Sequence, residues 1–146
     1  MIEGDPAPSA SEFEPGTWVC NIVICDDQPE LRAAIVEVLA TIPGFQVVGH
    51  AEDGITCLER VRDAGPDLLI LDVNMPGGGP HIATAAKDIS PGLHIVVFSG
   101  REDATVERAM LKAGADQYVL KTGRIRPLLQ ALQTAYSHLA QSKILT

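Results

Sequence analysis

Short apolar runs alternate with helix-like stretches five times along this chain. The runs are rich in Val, Ile and Leu and are mostly continuous, which is typical of strands in a parallel sheet covered on both faces. They span residues 19–25, 46–49, 67–71, 93–98 and 117–120. The pattern therefore predicts five buried strands.

The segments between the runs carry apolar residues at helical spacing, with patterns beginning at Leu31, Ile82 and Val106. The most regular pattern is the last one, formed by Ile125, Leu128, Leu129, Leu132, Tyr136 and Leu139. Pro29 fits the first turn of the first helix, and Gly residues follow several of the patterns where helices should end. Each strand is thus followed by a helix.

Five successive strand–helix units predict an α/β, doubly wound (βα)5 domain built on a five-stranded parallel sheet. Residues 1–17 are rich in Pro, Ser, Gly and Glu without periodicity, and we expect them to form a flexible leader. The domain is predicted to span 18–142, followed by a tail or the start of a linker at 143–146. In such sheets, ligands bind beyond the carboxyl ends of the strands.

The charge of the chain argues against direct binding to nucleic acid. The formal net charge is −8, from 11 basic and 19 acidic residues. Four of these acids (Glu3, Asp5, Glu12, Glu14) lie in the leader, so the remaining body is acidic as well. A nucleic-acid backbone calls for a basic face. An acidic body instead suits a protein that gathers carboxylates around a cation.

No apolar stretch approaches the roughly 20 residues that a membrane span requires. The first 16 residues have neither a basic n-region nor an apolar h-region, so they do not read as a secretory signal. The three cysteines form no CxxC pair and fall in strand or helix patterns, so we expect them to be reduced and structural. These features predict a cytoplasmic protein with no membrane association.

Polar side chains stand at the ends of four predicted strands. Asp26 and Asp27 follow the first strand, Asp72 the third, Ser99 the fourth and Lys121 the fifth. They should therefore meet at one edge of the sheet, where three carboxylates repel each other and need a compensating cation. Oxygen-only ligands favour Mg²⁺, and the absence of His and Cys from the set disfavours zinc.

Ser99 and Lys121 add a hydroxyl and an ammonium group to this acidic edge. Together with a metal ion they would neutralise a phosphoryl group during transfer, a reaction that depends mainly on charge stabilisation. A carboxylate can act as the nucleophile and form an acyl phosphate. Asp72, which follows the central strand, is the natural candidate.

The set Asp26-Asp27, Asp72 followed by Met75-Pro76, Ser99 and Lys121 resembles the receiver domain of bacterial response regulators. The resemblance covers residues from about 19 to 141. None of these five sequence features is specific on its own. Their occurrence together, in this order and at these strand ends, is specific. The resemblance implies a flavodoxin-like sheet with strand order 2-1-3-4-5.

The resemblance also implies roles for the acidic residues. Asp72 would accept a phosphoryl group from a sensor histidine kinase. Asp27 and Asp72 would bind Mg²⁺ directly, Asn74 would contribute its backbone carbonyl, and Asp26 would act through water. Such a domain catalyses only its own phosphorylation and dephosphorylation, and is not an enzyme that turns over other substrates.

The resemblance further implies a catalytic role for Lys121 and for Ser99, and a switch formed by Ser99 and Tyr118. Lys121 would pair with the phosphoryl group, Ser99 would move to hydrogen-bond it, and Tyr118 would swing inward behind Ser99. The helix 4–strand 5–helix 5 face would then change, and homodimerisation through this face is an expectation from the family.

The sequence departs from the usual receiver pattern at three places. Receivers usually have a cis proline after the lysine, where this chain has Thr122, so the loop geometry is open. Gly77-Gly78-Gly79 predicts unusual flexibility beside Asp72. Asn74 and Arg101 occupy positions where the family tunes phosphoryl lifetime, which the sequence does not specify.

Simpler interpretations remain open at this stage. Asp26 and Asp27 could merely cap the first helix, and Tyr118 could be a half-buried strand aromatic. The whole chain could be a Mg²⁺-dependent phosphatase with an Asp nucleophile, although such enzymes have a second carboxylate where this chain has Asn74. It could also be a degenerate receiver that serves only as an interaction module.

The segments 98–100 and 115–122 resemble receivers of the nitrate-type (LuxR-like) transcription regulators. In those proteins a helix-turn-helix domain follows the receiver, so DNA contact would occur only through an effector domain absent from these residues. A stand-alone receiver that acts by protein–protein interaction is the alternative.

Overall fold

The structure is a computed structural model that describes residues 18–145, in which five strands alternate with five helices. The elements are β1 Cys20–Cys25, α1 Pro29–Leu39, β2 Phe45–Ala51, α2 Gly54–Ala64, β3 Leu68–Leu71, α3 Pro80–Ile89, β4 His94–Ser99, α4 Ala104–Lys112, β5 Gln117–Leu120 and α5 Arg126–Leu145. The predicted succession of strand–helix units is confirmed.

The strands form one parallel sheet in the order β2-β1-β3-β4-β5, as the resemblance implied. The inner strands are continuously apolar because helices cover both faces of the sheet. Ile24 and Ile70 face a core shared with α1 and α5, whereas their neighbours Cys25 and Leu71 face a core shared with α2, α3 and α4.

The observed boundaries differ from the predicted ones by one residue at β1, β3 and β4, and by more at β2 and α5. Strand β2 spans Phe45–Ala51 rather than 46–49, because it is an edge strand in which buried and exposed positions alternate. Such alternation makes a strand look shorter than it is when only continuous apolar runs are counted. Helix α5 continues to Leu145, three residues into the segment predicted as a tail or linker.

Two aspartates fix the start of inner strands at the edge of the sheet opposite the candidate site. An Asp67 carboxylate oxygen accepts a hydrogen bond from the backbone N–H of Asn21 at 2.9 Å. Asp116 accepts one from the backbone N–H of Ile95 at 2.8 Å and also pairs with Lys87 at 2.9 Å. These bonds tie β3 to β1 and β5 to β4, which helps to set the strand register.

The predicted leader, residues 1–17, lies outside the described residues.

The three cysteines are free and buried, as expected, and burial raises the pKa of the Cys20 thiol to about 12. Within residues 18–145, none of the helices is long and apolar enough to span a bilayer.

Candidate functional site

The carboxylates that follow β1 and β3 lie side by side at the carboxyl edge of the sheet. Strands β1 and β3 are neighbours, and their last residues, Cys25 and Leu71, are paired in register. The next residues, Asp26 and Asp72, therefore lie next to each other at the carboxyl edge of the sheet. One carboxylate oxygen from each of Asp26, Asp27 and Asp72 lies within 4.8 Å of the others. Asp26 and Asp72 are buried, while Asp27 is exposed.

Lys121 supplies a positive charge next to this cluster. Its Nζ lies 2.8 Å from Oδ2 of Asp26 and 3.5 Å from Oδ2 of Asp72. It also donates a hydrogen bond to the side-chain oxygen of Gln28 at 3.2 Å. The ammonium group reaches both acids because β5, which ends just before it, lies next to β4 in register with Ser99. One ammonium group thus faces three carboxylates.

The surroundings of Asp72 raise the pKa of its carboxyl when no cation is bound. Burial raises the pKa of the Asp72 carboxyl above its usual value, and the neighbouring Asp26 and Asp27 raise it further. The backbone N–H of Asn74, 3.1 Å from Oδ1 of Asp72, and the Lys121 ammonium oppose this shift. A divalent cation among these oxygens would therefore help to keep Asp72 ionised and nucleophilic.

The donor set fits a hard divalent cation. The clustered groups are carboxylates at a partly solvated edge, and the exposed side chain of Asn74 leaves its segment accessible to solvent. Mg²⁺ is held in such places by one or two carboxylates together with water and phosphate oxygens. The histidines of the described residues lie outside this cluster, which agrees with a site for magnesium rather than zinc.

Ser99 and Tyr118 both bond to the backbone of Arg101, in the loop between β4 and α4. The backbone N–H of Arg101 donates to the hydroxyl of Ser99 at 3.2 Å, and the hydroxyl of Tyr118 donates to the carbonyl of Arg101 at 2.7 Å. Ser99 is fully buried and Tyr118 is partly exposed. The predicted switch pair is thus linked through one residue.

Two residues make contacts at the site that were not anticipated from the sequence. Gln28 bonds to Lys121 through its side chain and donates its backbone N–H to Oδ1 of Asp26 at 2.9 Å. Arg32, one turn into α1, donates to the backbone carbonyl of Asp26 at 2.6 Å. The only sequence signal for Gln28 was its position directly after the acidic pair. Gln28, not Asp27, is also the N-cap of α1, which weakens the capping interpretation of the acidic pair.

The structure defines the geometry of the loops on either side of the site. The described residues contain no cis peptide bond, so the bond between Lys121 and Thr122 is trans. The glycine triplet forms a tight turn in which Gly77 and Gly79 have φ values of 70° and 129°. These conformations suit glycine, so the triplet shapes the loop.

An open cavity of about 620 Å³ adjoins Lys121 between α1 and the loop that joins β5 to α5. Leu31, Ala34 and Phe98 form apolar parts of its wall, and Gln28 and Lys121 are shared with the acidic site. A cavity of this size is within the range that accommodates small molecules or protein side chains. The cavity therefore adjoins the acidic site at Gln28 and Lys121, on the side of α1.

Comparison with known proteins gives a consistent assignment. A family model described as the response regulator receiver domain matches residues 22–133. The nitrate/nitrite response regulator protein NarL of Escherichia coli (strain K12) is 36% identical over 138 residues, covering 93% of this chain and 62% of that protein. Response regulator GacA of Pseudomonas aeruginosa is 32% identical over 118 residues, covering 80% of this chain and 55% of that protein.

A solved structure agrees with these relatives. The signal receiver domain of NarL from Mycobacterium tuberculosis has a TM-score of 0.76 at 26% identity, covering 82% of this chain and 98% of that one. The present chain spans only 55% and 62% of the length of the two curated relatives above. The chain belongs to the response-regulator receiver family of two-component systems, and it is of the NarL/LuxR type.

Proposed function

We propose that this chain is a phosphorylatable switch in which Asp72 accepts a phosphoryl group from a sensor histidine kinase in a Mg²⁺-dependent reaction. The observation that carries the proposal is the meeting of three carboxylates within 4.8 Å, with Lys121 Nζ 3.5 Å from Asp72. A nucleophile, a cation site and a fixed ammonium group are the components that phosphoryl transfer to a carboxylate requires.

In the transfer, a carboxylate oxygen of Asp72 attacks the phosphorus atom of the phosphohistidine. The new P–O bond forms as the P–N bond breaks, and the imidazole leaves with the electron pair of that bond and takes up a proton. The product is an acyl phosphate on Asp72. Only the chain's own side chain is modified, so the domain acts on itself and not as an enzyme with turnover of other substrates.

Mg²⁺ would be held by Asp27 and Asp72 directly, by the backbone carbonyl of Asn74, and through water by Asp26. When bound, the ion supplies charge neutralisation for the phosphoryl oxygens and for the clustered carboxylates. Lys121 would bind the phosphoryl group once that group arrives, exchanging part of its contact with Asp26 for a phosphoryl oxygen.

Phosphorylation would act on the loop between β4 and α4. The phosphoryl group adds roughly −1.5 to −2 charge and three acceptor oxygens. Turning the hydroxyl of Ser99 toward it breaks the bond from the Arg101 N–H, and the same residue's carbonyl holds Tyr118. Rearrangement of Arg101 would release Tyr118 to move inward and alter the α4–β5–α5 face, through which the domain would form homodimers.

The output that best fits the relatives is regulation of transcription through a separate effector domain. The matched relatives are longer than this chain and include a nitrate/nitrite response regulator. DNA contact would belong to that effector domain, because the acidic receiver itself suits no nucleic-acid backbone. A stand-alone receiver that acts by protein–protein interaction is the second candidate.

A Mg²⁺-dependent phosphatase is a weaker explanation of the same site. Such enzymes need an acid/base carboxylate two residues after the nucleophile, and the exposed Asn74 occupies that position. An assay for released phosphate separates the two functions, since steady multiple turnover of a phosphate ester would indicate an enzyme.

Incubation with acetyl phosphate and Mg²⁺, followed by intact mass measurement, tests the proposal. We expect the wild type to gain one phosphoryl group, and the gain to be lost without Mg²⁺ and in Asp72→Asn. Asp88→Asn, which changes an exposed aspartate on α3, is the matched control and should be phosphorylated normally. Absence of any gain in the wild type with Mg²⁺ present would favour the degenerate receiver that serves as an interaction module.

A further inference from the structure

The loop that follows Asp72 rests directly on the first residue of α2. The backbone N–H of Gly54 donates a hydrogen bond to the carbonyl of Pro76 at 2.9 Å. A Cβ atom placed on Gly54 would lie 2.3 Å from the carbonyl oxygen of Gly77 and 2.8 Å from Cδ1 of Ile82. A methyl group cannot approach a backbone oxygen this closely. The contact therefore exists only because residue 54 has no side chain.

The glycine triplet completes this close packing. Gly77 has a φ of 70°, and a Cβ on Gly78 would lie 2.9 Å from the carbonyl oxygens of both Val73 and Met75. The Gly78 N–H donates to the Met75 carbonyl at 2.9 Å. The chain thus folds back on residues 73–75 and is pressed against α2, which defines the path of the segment that carries Asn74.

From this packing we infer that Gly54 is a positioning residue for the divalent cation, acting through the loop of residues 73–79. The inference rests on the proposed function, in which the carbonyl of Asn74 contributes to the cation site. Asn74 lies between Asp72, to which its own N–H is bonded, and the Pro76 carbonyl held by Gly54. Moving Pro76 and Gly77 off α2 displaces this short segment.

The substitution Gly54→Ala separates positioning from simple helix stability. Gly54 opens α2 and has no left-handed φ, so alanine should by helix propensity be neutral or stabilising there. The steric contact with Gly77 instead requires the loop to shift. Residues that orient metal ligands from outside typically change metal affinity by roughly 10–100-fold when they are mutated. We therefore expect at least a tenfold loss of cation affinity.

The test measures cation binding directly, with Mn²⁺ followed by electron paramagnetic resonance and Mg²⁺ by its displacement. Gly92→Ala is the matched control, because no atom lies within 4 Å of a Cβ built on Gly92 and the residue is exposed in the turn before β4. We expect Gly54→Ala to bind Mn²⁺ at least about tenfold more weakly than Gly92→Ala and the wild type. Equal affinities in all three proteins would overturn the inference.

A double variant identifies which contact matters. Ile82→Val removes the Cδ1 atom that lies 2.8 Å from the added methyl group but leaves the Gly77 carbonyl in place. We expect Gly54→Ala/Ile82→Val to remain weak in Mn²⁺ binding. Recovery of wild-type affinity in the double variant would assign the effect to core packing on α3 and contradict a role of the loop.

A wild-type measurement covers the case in which Gly54→Ala does not fold. If the Gly54 contact favours the cation-binding shape of the loop, binding of Mg²⁺ must strengthen that contact in return. We expect the amide hydrogen of Gly54 to exchange more slowly with Mg²⁺ present, and unchanged exchange would contradict the inference. Failure of the wild type to bind Mn²⁺ at all would instead contradict the proposed function.

Discussion

The ammonium group of Lys121 lies 2.8 Å from a carboxylate oxygen of Asp26, although 95 positions separate the two residues along the chain. The pair is held by the ends of β1 and β5, with β3 and β4 between them in the sheet. Asp26 is 2% exposed, and Lys121 forms an ion pair with its buried carboxylate.

Replacing Lys121 should therefore impair both stability and phosphorylation. Lys121→Ala leaves Asp26 and Asp72 without their shared cation, and we expect a loss of about 1–3 kcal/mol in the free energy of unfolding without Mg²⁺. Phosphorylation by acetyl phosphate should slow by about 100-fold, because one charged donor to the transferred group is lost. Urea unfolding and intact mass against time measure the two effects.

Lys112→Ala, an exposed position on α4, is the control for loss of a lysine charge and should change neither quantity. A normal phosphorylation rate in Lys121→Ala would show that the lysine is only a structural partner of Asp26.

Neutralising Asp72 should stabilise the protein when no divalent cation is present. Because the pKa of Asp72 is raised in the folded protein, the unfolded chain loses its proton first as pH rises above the usual value of 3.8. The protonated Asp72 carboxyl therefore contributes stability below pH 3.8. This contribution is lost as the pH rises toward the pKa of Asp72 in the folded protein, and it is still missing at neutral pH. Asp72→Asn removes this loss, so we expect a higher unfolding temperature in the presence of a chelator.

Mg²⁺ should reverse this order by stabilising the wild type more than Asp72→Asn. Thermal unfolding with and without Mg²⁺ measures both effects, with Asp88→Asn as the control on an exposed helix position. A destabilised Asp72→Asn under chelating conditions would mean that Lys121 and Asn74 outweigh burial at this carboxyl.

Tyr118→Phe should loosen the loop between β4 and α4. The substitution removes the 2.7 Å hydrogen bond to the carbonyl of Arg101 and keeps the ring. Since this bond is partly exposed, we expect a loss of about 0.5–1.5 kcal/mol at most in global stability. Amide hydrogen exchange should accelerate locally in residues 100–103, with no change in α2. Unchanged exchange in residues 100–103 would show that the hydrogen bond from Tyr118 does not restrain this loop.

Stability should depend on pH through His94, at the edge of the sheet away from Asp72. Burial lowers the pKa of His94, with Lys87 and His138 acting in the same direction and Asp116 opposing them. The side-chain amide nitrogen of Gln117, 3.1 Å from Nε2 of His94, can donate only to an unprotonated ring nitrogen. Both features favour the neutral ring in the folded protein.

The folded protein therefore binds fewer protons than the unfolded chain just below pH 6.5, the usual pKa of histidine. Stability is fully present above that pH, falls as the pH is lowered, and stops falling below the folded pKa. We expect His94→Gln to flatten this dependence in urea unfolding between about pH 7.5 and about pH 5. The exposed His50→Gln should keep it, and a wild-type slope in His94→Gln would refute the assignment.

The sequence predicted the fold and the meeting of the acidic residues because both follow from which side chain ends which strand. Apolar runs identified β1 and β3, and parallel order then brought Asp26 and Asp72 to one edge. The contacts of Gln28 with Lys121 and of Arg101 with Ser99 could not be predicted, since they depend on loop paths. Neither residue belongs to an apolar pattern.

The glycine triplet illustrates the same limit. Three glycines in succession indicate conformational freedom when only local preferences are considered. Their restraint comes from Gly54, which is distant in sequence and approaches the Gly77 carbonyl more closely than any side chain would permit. The pattern of residues 77–79 contains no trace of that partner, so the packing of this turn against α2 could not be predicted from it.

Locating the acyl phosphate within the chain tests the central claim most directly. After incubation with acetyl phosphate and Mg²⁺, borohydride reduction converts an aspartyl phosphate to homoserine, which tandem mass spectrometry of peptides can assign to one residue. We predict homoserine at position 72 alone, and none when Mg²⁺ is chelated. Homoserine at another aspartate with position 72 unmodified, or modification that is independent of Mg²⁺, would contradict the phosphoacceptor role of Asp72.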